Sequence, residues 1–125
     1  MKASCTADRH QLAAVRDEFR LWLTACDITG PCAQNALVAV NEAIANAMEH
    51  ACANGSEGTV HITARATVDR FCTEVADTGI WWDPEPRRAA VRGRGVPLMR
   101  RLMDHVTLTS GSAGTTVSMD TRVTR

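Results

Sequence analysis

No run in this 125-residue sequence approaches the ~18 consecutive apolar residues that a bilayer-spanning helix needs. The opening Met-Lys-Ala-Ser-Cys-Thr-Ala-Asp also lacks the apolar segment of a secretory leader. The five cysteines, at positions 5, 26, 32, 52 and 72, include no C-x-x-C pair and no histidine at metal-ligand spacing. They read as reduced, small packing residues of a soluble, cytoplasmic protein. There is no internal repeat and no low-complexity tract. There is also no excess of charge, since 14 basic residues balance 14 acidic ones. A zero total argues against a polyanion-binding surface spread over the whole sequence, so neither direct nucleic-acid binding nor membrane binding is expected. With 45% hydrophobic and 22% charged residues, the composition is that of a folded chain. Its length suits a single domain over residues 1–125. The balanced total conceals a local asymmetry. Glu74, Asp77, Asp83 and Glu85 form an acidic stretch without a base, followed by Arg87, Arg88, Arg92, Arg94, Arg100 and Arg101 without an acid.

Hydrophobic spacing orders the elements. Thr6 or Asp8 can cap a helix whose apolar positions Leu12, Val15, Phe19 and Trp22 or Leu23 step by three and four, ending near Asp27 to Gly30 before Pro31. A second helix is predicted from about Cys32 to Ala53, with Leu37, Val40, Ile44, Ala47 or Met48, and Ala51 as its apolar stripe and Asn54-Gly55 as its stop. Val60, Ile62, Ala64, Ala66 and Val68 alternate with polar residues, which predicts a half-buried strand from Thr59 to Val68. Asp69-Arg70 turns it into a second strand, Phe71 to Asp77. The stretch from Thr78 to Arg92 shows no period and reads as a loop, with Trp81 and Trp82 packing at its base. Gly93-Arg94-Gly95 then opens a short helix from Val96 to about Asp104, with Pro97 in its first turn. Strands near Val106 to Thr109 and Thr115 to Met119 flank a turn at Ser110 to Gly114. This order predicts an α+β two-layer sandwich, a mainly antiparallel mixed sheet covered on one face by helices.

Four groups of residues carry chemistry. Glu42, Asn46 and His50 are spaced by four and share one polar stripe of the second helix. A carboxylate and a carboxamide one turn apart suit a general base beside a Mg²⁺ ion, although a solvated helix face has the same pattern. Asp77 shares strand parity with Phe71, Thr73 and Val75 and should point into the layer between sheet and helices, where a ligand's amino group could meet it. Gly79 would let that ligand approach the backbone; a turn aspartate capping its own loop is the plainer alternative. Gly93 and Gly95 before a helix expose backbone N–H groups to an anion, and the surrounding arginines can bind phosphate, although such a cluster also suits a solvated face. Thr115, after Gly114, shares parity with Val117 and Met119 and should also point inward, where its hydroxyl needs a partner.

In this combination and order the sequence resembles the GHKL group of ATP-binding domains, the Bergerat fold of gyrase, histidine kinases and MutL. Within that group it resembles the small anti-sigma factor serine/threonine kinases. The stretches that carry the likeness are Asn41 to Ala51, Asp77-Thr78-Gly79-Ile80-Trp81, Gly93 to Asp104, and Gly114-Thr115-Thr116-Val117. The resemblance implies ATP and Mg²⁺ as cofactors. It implies Glu42 as the catalytic carboxylate and Asn46 as the Mg²⁺ ligand, with His50 in the same nucleotide-binding stretch. It places Asp77 at the adenine amino group, with Gly79 making room and Thr115 assisting. Gly93, Gly95 and Val96 would contact the triphosphate, Arg92, Arg94 or both would neutralise its charge, and the loop from Pro84 to Arg92 would be an ATP lid.

As partners the resemblance implies a sigma factor that is sequestered, and an anti-anti-sigma factor of the STAS type whose serine is phosphorylated. It also implies a homodimer. The competing expectation is a nucleotide-responsive module that captures partners without transferring phosphate. Such domains usually begin with a strand before the first helix. Here only about seven residues precede that helix, so no such strand is expected, and the sheet edge that goes with the homodimer would lack it.

Overall fold

A helix that buries Leu12, Val15, Phe19 and Leu23, each at most 5% exposed, must lay that stripe on a partner layer. In the structure, a computed structural model that describes residues 1–6, 9–52, 59–77, 96–111 and 114–123, that partner is one face of a five-stranded sheet. The elements are β1 (Lys2–Thr6), α1 (Arg9–Ala25), α2 (Gly30–Cys52), β2 (Thr59–Ala66), β3 (Arg70–Asp77), a short helix α3 (residues 96–102), β4 (His105–Gly111) and β5 (Gly114–Arg122). The strand order is β1-β2-β3-β5-β4, and each of the four described pairings is antiparallel. The predicted α+β sandwich is therefore the observed one.

The first strand corrects the sequence reading. Residues 2–6 form β1 and pair with β2 from Lys2↔Thr63 to Thr6↔Thr59, and the N-terminal amine donates to the Ala64 carbonyl at 2.8 Å. Five residues need only about 17 Å of partner edge. Lys2 and Ser4 are exposed while Ala3 packs on the core, so a minimal alternation is present in the sequence. The second departure is at Val68, which is 88% exposed because β2 ends at Ala66 and residues 68 and 69 make the turn. In that turn the Thr67 N–H donates to the Arg70 carbonyl at 2.7 Å, and the Thr67 hydroxyl accepts from the Arg70 N–H.

The end of α1 explains the entry into α2. The Ile28 N–H reaches back to the Leu23 carbonyl and the Asp27 N–H to the Thr24 carbonyl, closing a Schellman motif with Asp27 at φ 60°. Ile28 and Leu23, the two positions this motif brings together, are both 1% exposed and belong to the same core. Asp27 carries a left-handed conformation that glycine adopts without a Cβ penalty. Asp27→Gly is therefore expected to stabilise the protein by about 0.5–1 kcal/mol, a rise in Tm of about 3 °C in a thermal melt. Pro31 falls in the first turn of α2, where its missing N–H costs nothing.

The buried face of α2 consists of Ala36, Ala39, Val40, Ala43, Ile44 and Ala47, with Leu37 and Met48 only partly covered. The stripe is thus rotated toward its alanines, which lets the helix lie close over β2 and β3. Phe19 stacks on Trp22, and Trp22 meets Phe71 edge-on, closing the core at the hairpin end of the sheet.

Candidate functional site

At the other end of the sheet, β3 finishes and β5 begins. The buried residues of β3 are Phe71, Thr73, Val75 and Asp77, and those of β5 are Thr115, Val117, Met119 and Thr121. The period of two thus carries Asp77 and Thr115 onto the helix-covered face, as their parity predicted. They stand directly opposite each other, with Val60 of β2 on the far side of Asp77. Residues opposed in this way have Cβ atoms roughly 4.5–5.5 Å apart, so a carboxylate and a hydroxyl share one spot on the sheet. Asp77 is 5% exposed and Thr115 3%. The Thr115 hydroxyl finds no hydrogen-bond partner among the described residues. A buried hydroxyl left that way costs about 1–3 kcal/mol, which a ligand's polar atom would offset. Thr73, four residues earlier on the same face, is likewise fully buried without a partner for its Oγ1 among the described residues.

Helix α2 packs on β2 and β3. Its last described residue is separated from β2 by residues 53–58, and β2 starts opposite the end of β3. The C-terminal half of α2, which holds Asn46 and His50, therefore leads to the same end of the sheet as Asp77 and Thr115. Glu42 and Asn46 are half-buried and lie beside the fully buried Ala43 and Ala47. His50 belongs to the helix, but its side chain lies outside the described residues, as do Gly79, Arg92, Gly93, Arg94, Gly95 and the whole loop from Thr78 to Arg92, with Trp81 and Trp82. Val96 is the first described residue of α3 and is half-buried.

No group of three or more His, Cys, Asp or Glu side chains suited to a metal ion occurs among the described residues. A magnesium ion that keeps its waters and takes further oxygens from a bound phosphate chain needs only one or two protein ligands, and the Asn46 carboxamide suits that role. Nor is any helix among the described residues long and apolar enough to cross a membrane. A cavity of about 730 Å³ opens at the opposite, hairpin end of the sheet, lined by residues including Trp22, Arg65, Arg70, Phe71 and Asp120. Among the described residues, none of the predicted site residues lines it, and it stands apart from the Asp77 end.

One polar residue went unassigned in the sequence. Asp104, just after α3, accepts the Arg122 N–H at 2.9 Å, donates its own N–H to the Thr121 hydroxyl at 3.3 Å, and lies 3.7 Å from the Arg70 guanidinium, which also pairs with Asp120. Met99 and Met103 anchor the same segment in the core. Asp104 thereby ties the end of α3 to β3 and β5. No local pattern announces it, because its partners lie 17, 18 and 34 positions away. The Arg122 N–H and then the Arg70 charge hold the Asp104 carboxyl below its ordinary value, while the bond to Asp120 raises Arg70. A carboxylate with a lowered folded pKa adds stability that is complete above its unfolded value, about 3.9, and lost as pH falls through the folded value. The stability gap between the parent protein and Asp104→Asn should therefore be open above about pH 4.5 and narrow toward pH 2, as urea midpoints across that range would record.

Among known proteins, residues 5–121 match the family described as the histidine kinase-like ATPase domain. The chain is similar in structure to the RsbU and RsbW domains of Rv1364c from Mycobacterium tuberculosis (TM-score 0.74, 21% identity, covering 100% of this chain and 33% of that one). It is also similar to a chain of the SiaB–SiaC complex from Pseudomonas aeruginosa (TM-score 0.62, 14% identity, 98% of this chain and 88% of that one). A third likeness is to the histidine kinase domain of the blue-light activated histidine kinase from Erythrobacter litoralis EL346 (TM-score 0.57, 21% identity, 74% and 45%). At these identities the likeness is one of fold. The chain spans about a third of the Mycobacterium tuberculosis chain.

Proposed function

The chain belongs to the histidine kinase-like ATPase domain family, and from that premise we propose that it is an ATP-dependent protein serine/threonine kinase of the anti-sigma type. In this reading residues 1–125 form one cytoplasmic nucleotide-binding domain that sequesters a sigma factor and phosphorylates a serine of an anti-anti-sigma factor. The observation that carries the nucleotide half is the buried Thr115 hydroxyl, without a partner among the described residues, set directly opposite the buried Asp77. An acceptor and a hydroxyl side by side on an apolar floor suit the amino edge of adenine. The protein-partner half is supported by similarity to a structure that contains an RsbW domain beside an RsbU domain, and to one solved as a two-protein complex.

Asp77 accepts from the adenine amino group and Thr115 completes that contact. Glu42 takes the proton of the attacking serine hydroxyl as its oxygen bonds to the γ-phosphorus and ADP leaves. Asn46 offers its carboxamide oxygen to Mg²⁺. When bound, that ion neutralises charge on the phosphate oxygens. Gly93, Gly95 and Val96 offer backbone N–H groups to the triphosphate, and Arg92 or Arg94 adds positive charge. The test is incubation with ATP labelled at the γ-phosphate, Mg²⁺ and the cognate anti-anti-sigma protein. Labelled serine is expected, and its absence with ATP demonstrably bound would refute the kinase assignment.

A further inference from the structure

The cavity at the hairpin end of the sheet has the walls of a second binding site. Its volume of about 730 Å³ falls within the roughly 300–1,000 Å³ usual for small-molecule sites. Strand alternation divides its lining. Ala64 and Phe71 belong to the helix-covered side of β2 and β3, with Trp22 and Cys26 at the end of α1 beside them. Arg65, Arg70, Cys72 and Asp120 have the opposite parity, and Arg65, Cys72 and Asp120 follow one another in a row across β2, β3 and β5. The cavity therefore wraps the end of the β2–β3 hairpin, apolar on one wall and polar on the other.

On the apolar wall, Trp22 is held between two other rings. Phe19 stacks on it with centroids 5.8 Å apart, and Phe71 meets it edge-on at 6.3 Å, yet Trp22 is only half-buried. A fixed indole with part of its surface uncovered is a platform for a planar ring, which it receives at little cost in side-chain entropy. On the polar wall the charges are unequally engaged. Arg70 pairs with Asp120 and lies 3.7 Å from Asp104. Arg65 is exposed and makes no hydrogen bond or ion pair with a described residue. Among the described residues of the lining, one guanidinium is thus left over, and guanidinium binds carboxylate through two parallel hydrogen bonds. A cationic ligand would find the Asp120 carboxylate already taken, and a polyphosphate would find a single open guanidinium with Asp120 against it.

We propose that this cavity binds a small planar aromatic carboxylate, its ring against Trp22 and its carboxylate on Arg65. The site lies at the Arg70 end of β3, about 23 Å along the strand from Asp77, so a nucleotide at the far end can be bound at the same time. The assignment holds whether or not the protein transfers phosphate.

Calorimetric titration of the intact protein with 2-naphthoate should give a dissociation constant on the order of 100 μM, the range expected of a ligand of about thirteen non-hydrogen atoms. The neutral 2-naphthamide should bind about tenfold more weakly, and Arg65→Gln should weaken 2-naphthoate by about the same factor, the value of a hydrogen bond to a charged group. Because Arg65 is exposed, that variant should keep the parent Tm. Thiol alkylation locates the ligand. At about 1 mM, roughly ten times the dissociation constant, 2-naphthoate should slow iodoacetamide modification of Cys26 and Cys72 about tenfold. Cys32, also half-buried but outside the cavity, should react as before, and peptide mass mapping reads each position. Saturating ATP should leave the 2-naphthoate affinity unchanged. No binding up to about 5 mM, equal affinity for the amide, indifference to Arg65→Gln, unprotected Cys26 and Cys72, or displacement by ATP would each overturn the proposal.

Discussion

Glu42→Gln is expected to lower transfer of the γ-phosphate to serine by roughly 10²–10⁴-fold while leaving ATP affinity within about threefold of the parent. That range is the usual contribution of a positioned general base. Glutamine keeps the shape and the half-buried packing of Glu42 beside the fully buried Ala43 but cannot hold the proton at neutral pH. Folding should be unaffected, because the α2 core face is made by other residues. The measurement is the initial rate of serine labelling together with a nucleotide titration. Undiminished labelling removes Glu42 from the chemistry. Lost labelling with unchanged control of the sigma partner would favour the nucleotide-responsive binder over the kinase as the regulatory mechanism.

Asp77→Asn should weaken ATP binding by roughly 10- to 100-fold, the value of a hydrogen bond to a charged acceptor in a buried site. Asparagine is isosteric, so Tm should hold within a few degrees and separate a binding defect from an unfolding one. Thr115→Val removes the neighbouring hydroxyl and should cost only a few-fold in affinity, since a neutral hydrogen bond is worth about 1 kcal/mol. It should not destabilise the free protein, because that hydroxyl has no partner among the described residues to lose. Calorimetric titration with ATP reads both variants, and unaltered affinity in Asp77→Asn would refute the adenine assignment.

The legible parts of the fold were those ruled by short-range periodicity. The stripe Leu12, Val15, Phe19 and Leu23 is buried as its spacing implied, and Asp77 and Thr115 point inward because strand parity leaves a residue only two faces. The illegible parts depend on distant partners. β1 is only five residues long and gains its strand hydrogen bonds from β2, 53 to 61 positions away. Val68 continues the alternation of β2 but is expelled by the turn between Thr67 and Arg70. In α2 the spacing offered Leu37, Val40, Ile44 and Ala47 or Met48; Val40, Ile44 and Ala47 are buried, whereas Leu37 and Met48 are only partly covered and the close approach to the sheet brings in Ala36, Ala39 and Ala43. Gly79, Arg92, Gly93, Arg94 and Gly95 remain expectations of the sequence alone, because they lie outside the described residues.

By itself, then, the sequence determined the kind and order of elements after β1 and the direction of the two residues at the centre of the site, because both follow from periods of 3.6 and 2 that need no knowledge of the partner. The tertiary structure alone decided which residues meet: Asp77 opposite Thr115, Asp104 bridging α3 to β3 and β5, and, among the described strands, β4 beside β5 at the edge of the sheet. Those are pairings between segments far apart in the chain. Local propensity carries no term for them, and strand register, set by packing one face of the sheet under α1 and α2, does.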